Sequence, residues 1–165
     1  MIAKILLSFV VAVLFSGCAT TASTPVPEAD KELQFIETMT ISQDKAFDAS
    51  VDWFAESFVD SKEVLELKDK ERGKIIGKGV IPQCFSMGSP STGWGVVIKC
   101  RVTIIIEIKE NRVRTTYKDI TSLGKDGATY PIFDKKYNDE ARAQITALQA
   151  KYVAYLSNKK NDPNW

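Results

Sequence analysis

Val96–Lys109 reads Val-Val-Ile-Lys-Cys-Arg-Val-Thr-Ile-Ile-Ile-Glu-Ile-Lys, and its alternation decides the fold class. Val96, Ile98, Cys100, Val102, Ile104, Ile106 and Ile108 fall on one face; Val97, Lys99, Arg101, Thr103, Ile105, Glu107 and Lys109 fall on the other. A period of two held over this length predicts a strand with one face buried and the other wet. Glu110-Asn111 predicts a tight turn, and Arg112–Ser122 returns as the partner strand. If Lys109 faces Arg112, then Ile108 meets Val113, Ile106 meets Thr115, Ile104 meets Tyr117, and Glu107 opposes Arg114 on the outer face. One register satisfies both faces, so the spacing carries the hairpin more than propensity does.

Upstream, Lys74–Cys84 and a shorter Val64–Lys68 predict two more strands, joined by the polar turn Asp69-Lys70-Glu71-Arg72-Gly73. Gly77 and Gly79, two apart, share one side of the sheet and leave room there for a helix or an opposing backbone. Gly73…Gly77-Lys78-Gly79 does not make a phosphate loop: the spacing is one short and no Ser or Thr follows the Lys. Phe85–Gly95 is expected to be a Gly/Ser/Pro hairpin loop, the longest irregular segment of the domain. A hairpin centred near Thr92 would set Cys84 against Cys100, although alternation from the glycines turns Cys84 outward unless Pro82 marks a bulge. A disulfide and two free thiols are the competing readings, with the bridge preferred.

Leu33–Ile41 predicts a first strand, and Ser42 a helix cap. In Gln43–Val59, Phe47, Val51, Phe54 and Phe58 recur at helical spacing, with Trp53 off the stripe; Asp44, Asp48 and Asp52 form a solvated neighbouring face. Gly124–Pro131 reads as a turn region. A last helix, starting between Asp134 and Asn138, carries the stripe Ala141, Ile145, Leu148, Tyr152 and Leu156. The expected fold is therefore α+β, a two-layer sandwich of about five antiparallel strands with two helices on one face, in the order β-α-β-β-β-β-α.

Trp53…Phe58, Asp60-Ser61-Lys62 and Asp69…Gly73-Lys74-Ile75-Ile76-Gly77-Lys78-Gly79 resemble an uncharacterised bacterial family described as a domain of unknown function with a TATA-binding-protein-like (TBP-like) fold. The resemblance spans about Leu33–Ser122. It implies a fold and an exported location, and brings no activity, cofactor or catalytic residue.

The N-terminus reads as an export signal: Lys4, the apolar run Ile5–Phe15, then Ser16-Gly17-Cys18. The run is too short to span a bilayer, which takes about 20 apolar residues. Ser-Gly-Cys resembles the lipobox of bacterial lipoproteins, with Phe15 where that family usually has Leu. The resemblance implies cleavage before Cys18 and lipidation of Cys18; an ordinary secretory signal or a short membrane anchor are the alternatives. The division that follows is a signal at 1–17, a lipidated cysteine and flexible tether at 18–32, a domain at 33–158 and a tail at 159–165. Ala19 after the lipidated cysteine implies, in a Gram-negative host, the outer membrane facing the periplasm.

Composition excludes several chemistries. There is no histidine among 165 residues, which removes the commonest general base and metal ligand. Without Lys4, basic and acidic residues balance at 21 each, which argues against a nucleic-acid partner. No catalytic, cofactor or metal motif is present, and Cys84 and Cys100 lack the spacing of a redox or zinc site. The remaining candidate is the outer sheet face, where Lys99, Arg101, Arg112, Arg114 and Lys118 gather with Thr116, suited to an envelope protein or an anionic glycan or lipid; plain solvation of a wet face is the competing reading, and the sequence by itself favours it. The expected function is a membrane-anchored, non-enzymatic binding or assembly module of the cell envelope. A hydrolase or transferase working through carboxylates or Lys, and a structural spacer, are the alternatives.

Overall fold

The hairpin of Val96–Lys109 and Arg112–Ser122 lies at the centre of the sheet. The structure, a computed structural model, describes residues 23–58, 65–89 and 93–160. In it β1 (Leu33–Thr38), α1 (Gln43–Ser57), β2 (Leu65–Asp69), β3 (Lys74–Ser89), β4 (Trp94–Lys109), β5 (Arg112–Leu123), β6 (Thr129–Pro131) and α2 (Lys135–Lys160) follow in order. The antiparallel strands lie in the order β1-β5-β4-β3-β2, with β6 added beside β5. The β4–β5 register is the expected one: Lys109 faces Arg112, Ile108 faces Val113, Ile106 faces Thr115 and Ile104 faces Tyr117. Asn111 turns the chain with φ of 58°, a left-handed conformation that asparagine tolerates.

Val102, Ile104, Ile106 and Ile108 are fully or almost fully buried, as are Val113 and Tyr117 opposite. At about 1.5–3 kcal/mol for each large aliphatic side chain withdrawn from water, this face is the main source of stability. The two helices cover it. From α2, Ala141, Ile145, Tyr152 and Leu156 are buried against the sheet, and Leu148 is half-buried. From α1, Phe47 and Phe54 are buried and Val51 is partly so. Trp53, read from periodicity as peripheral, is instead central: it meets Phe54, Phe58 and Tyr152 at ring-centroid distances of 5.4, 5.5 and 4.7 Å. Packing between two helices widens the buried arc beyond the stripe that one helix facing a sheet would need.

Four expectations change. The region read as turn contains β6, a short strand added beside the expected five, whose Tyr130 pairs with Ser122. The predicted Phe85–Gly95 loop is mostly strand, with pairing carried to Ser89 and Trp94. Ser42 precedes α1 with its carbonyl accepting from the Ala46 N–H at 2.9 Å, while its side chain makes no cap bond. The described part of the expected tether is held against the domain: Pro25 bridges Asp134, Asp30 O accepts from Asn138 Nδ2 and Arg142 Nη1, and a short 3-10 turn spans Glu28–Asp30. Two prolines suggested an unstructured spacer, but backbone carbonyls in such a segment still accept hydrogen bonds, and α2 supplies the donors. Cys18, the signal 1–17, Asp60-Ser61-Lys62, Val64 and the tail beyond residue 160 lie outside the described residues.

Candidate functional site

One sheet face carries both helices; the opposite face has no covering layer among the described residues. Alternation sets its composition, and the ladders place it in rows. One row crosses Gln34, Thr116, Ile105, Ile76 and Leu67; a second crosses Ile36, Arg114, Glu107, Lys74 and Asp69; a third crosses Lys118, Thr103 and Lys78. Thr103 and Thr116 are buried even on this side, under the longer side chains around them.

The five predicted cations do not form one patch. Arg101 lies opposite Thr121 and Lys99 opposite Leu123, whereas Arg112 lies opposite Lys109 at the far end of β4. Eight residues of strand separate Arg101 from Lys109, about 26 Å. Lys99, Arg101 and Lys118 therefore gather at one end, with Lys78 opposite Thr103 as a fourth member that single-strand reading could not assign. Arg112 and Arg114 gather at the other end with Lys109. Arg114 is bound to Glu107 through two nitrogens, at 2.6 and 2.8 Å, and Lys78 to Glu66 at 2.6 Å. Lys99, Arg101, Arg112 and Lys118 have no carboxylate partner among the described residues. The face carries no described aromatic side chain, so it offers no platform on which bases could stack.

A register shift in β3 builds the second candidate region. Near the turn, Phe85 faces Ile98, whereas beyond the shift Ile81 faces Cys100. Pro82, Gln83 and Cys84 thus oppose Lys99 alone, an irregularity that swings Cys84 inward. Cys84 and Cys100 are joined by a disulfide, with Cα atoms 5.5 Å apart, and both are buried. The bulge settles the question of phase that alternation left open. Past it the two strands run on as a ribbon beside the start of α2, where Phe85 stacks on Tyr137 and the Ser86 N–H donates to Glu140 Oε2 at 3.0 Å. A cavity of about 490 Å³ lies between the ribbon and α2, lined by Met87, Trp94, Lys136 and Glu140 among others.

A second cleft, of about 360 Å³, runs between Phe58, Val80, Pro82 and the Leu148–Lys151 stretch of α2. Its lining mixes apolar side chains with Ser57, Gln83, Gln144 and Lys151, and it brings no pair of carboxylates together. On α1, Asp48 holds Lys70 at 2.8 Å through both oxygens, and this hydrogen bond keeps the Lys70 ammonium above the ordinary lysine pKa. Among the described residues no group of His, Cys, Asp and Glu is arranged to hold a metal ion. No described helix is long and apolar enough to cross a membrane.

The sequence profile of a domain of unknown function with TBP-like fold, DUF4468, matches residues 34–122. Two solved structures share the architecture. A DUF4468 family protein from Bacteroides ovatus superposes with a TM-score of 0.58 at 12% identity, covering 84% of this chain and 91% of that one. A TBP-like protein from Parabacteroides distasonis gives 0.60 at 12% identity, covering 81% and 97%. No curated protein matches the chain. At such identities the likeness is one of fold.

Proposed function

This chain belongs to the DUF4468 family, a domain of unknown function with a TBP-like fold, and we propose that it is a membrane-anchored lipoprotein of the cell envelope whose domain is a non-enzymatic binding module. The observation that carries the binding reading is the uncovered sheet face. A six-stranded sheet with helices on one side presents a broad, preformed surface on the other, and here it mixes β-branched residues with cations lacking described partners. Such a surface fits an acidic protein partner, because Lys and Arg steer the encounter while the partly exposed Ile76 and Ile105 supply an apolar centre. An anionic glycan is the competing occupant. The anchor reading rests on Ser16-Gly17-Cys18 after a short apolar run, and the proposed location is the outer membrane facing the periplasm.

Two measurements test this. Intact mass of the membrane-extracted protein is expected to begin at an acylated Cys18, with Cys18→Ser unprocessed or released from lipid; an unacylated wild type removes the anchor. Crosslinking in intact cells is expected to trap an acidic envelope protein on the wild type and to lose it in Arg101→Glu/Lys118→Glu, whose thermal unfolding stays unchanged. A crosslinked set untouched by charge reversal at both ends of the face removes the sheet-face reading.

A further inference from the structure

Among the described residues, the end of the domain at which Thr24 and Val26 are held also carries the most exposed large apolar side chains. Thr24 O accepts from the Lys135 N–H at 2.8 Å, and the Val26 N–H donates to Phe133 O at 3.1 Å, so the chain is pinned at the start of α2. Only five residues lie between Cys18 and Thr24, a reach of at most about 22 Å. Phe133, beside the pin, is 74% exposed, and Trp94, which shares a cavity with Lys136 of the first turn of α2, is 68% exposed. These are the two most exposed large apolar side chains among the described residues. Met87, Val96 and Val97 on the ribbon are also exposed, as is Tyr130 on β6.

We infer that this end of the domain rests directly on the bilayer, with Trp94 and Phe133 in the headgroup layer. The inference rests on the lipid anchor proposed above and adds a second, protein-borne contact to it. A chain pinned this close to its anchor cannot carry the domain far from the surface. Of the faces available, the one beside Thr24 is the one the tether presents to lipid. Aromatic side chains are favoured at the membrane–water interface, and the exposed Lys136, which lines the cavity with Trp94, suits phosphate headgroups. Contact here would also fix the orientation of the domain, leaving Arg112 and Lys109, at the opposite end of β4, directed away from the membrane.

The test uses the whole mature protein in vesicles of phosphatidylethanolamine and phosphatidylglycerol, with and without lipids brominated near the headgroup. Trp53, buried in the core, and Trp165 are common to both chains, so the difference between wild type and Trp94→Phe reports Trp94. The expected result is a Trp94 signal quenched by brominated lipid and sheltered from acrylamide, and weakened quenching in Phe133→Ser. Intact mass of the same sample reads the anchor separately. An acylated protein whose Trp94 stays open to acrylamide and untouched by brominated lipid overturns the inference while leaving the anchor standing. So does shelter of Trp94 that comes from self-association in detergent without vesicles. A chain without acyl groups that remains in solution removes both.

Discussion

Cys84 is bonded to Cys100, yet the strand position opposite Cys100 is occupied by Ile81. The bridge exists because Pro82 and its neighbours break the register, and proline suits a bulge since it has no N–H to give to the ladder. The disulfide in turn locks the bulge, and with it the course of the ribbon that carries Trp94.

Removing the bridge should loosen the domain without changing its fold. The bond spans 16 residues, and in the chain-entropy model a loop of that size is worth about 3 kcal/mol. Cys84→Ala/Cys100→Ala is expected to unfold about 10 °C lower in a calorimetric scan. An unchanged midpoint would mean that the unfolded chain is already restricted there.

The buried hydroxyl pair should respond unequally to its two deletions. Ser50 Oγ donates to Ala46 O at 2.6 Å, so Tyr152 Oη, also 2.6 Å from it, must be the donor in their shared bond. Tyr152→Phe leaves Ser50 with its own acceptor and is expected to cost about 1 kcal/mol. Ser50→Ala leaves a buried Tyr152 hydroxyl unpaired and is expected to cost about 2–3 kcal/mol. Urea midpoints of the two variants decide the order.

Alkaline pH should unfold the protein through its interior tyrosines. Burial raises the Tyr117 hydroxyl above the ordinary tyrosine value, with Tyr152 adding to it, and burial likewise raises Tyr152. A raised native pKa means that the unfolded chain ionises first. Stability is therefore full below the unfolded value near 10 and falls as pH climbs from there toward the native values, by up to about 1.4 kcal/mol per unit for each tyrosine. Denaturation midpoints measured on either side of pH 10 are expected to drop, and less steeply in Tyr152→Phe.

Two glycines should differ in their tolerance of a methyl group. At Gly73, φ is 60° and an added Cβ would lie 2.2 Å from the backbone oxygen of Ile108, which cannot swing away. Gly73→Ala is expected to cost about 3 kcal/mol. At Gly79 the neighbour is the Phe58 ring, at 2.5 Å, which can turn at some expense to its contacts with Trp53 and Phe54. Gly79→Ala is expected to cost about 1–2 kcal/mol, and thermal melts of both variants separate the two effects.

The ion pair on the outer face should matter little to stability. Arg114 and Glu107 are well aligned but partly exposed. Arg114→Ala is expected to lower the unfolding free energy by less than about 1 kcal/mol, so a lost crosslink in such variants reports binding.

The sequence by itself determined what repeats locally. The β4–β5 register followed from fourteen alternating residues and one turn, because a slip of one residue would expose the whole isoleucine face. The inward stripes of α1 and α2 followed from helical spacing, and the glycine at residue 79 marked a close approach that Phe58 fills. Tertiary structure alone decided the rest. Trp53 lies in the core because two helices close over it. The five outer cations divide because strand length, invisible in composition, separates them. Cys84 faces inward because a bulge overrides alternation, and Thr24 is pinned because α2, more than a hundred residues along the chain, provides the donors. Short-range periodicity is written in neighbouring residues, whereas bulges, pins and patches arise from contacts between segments whose separation no local pattern records.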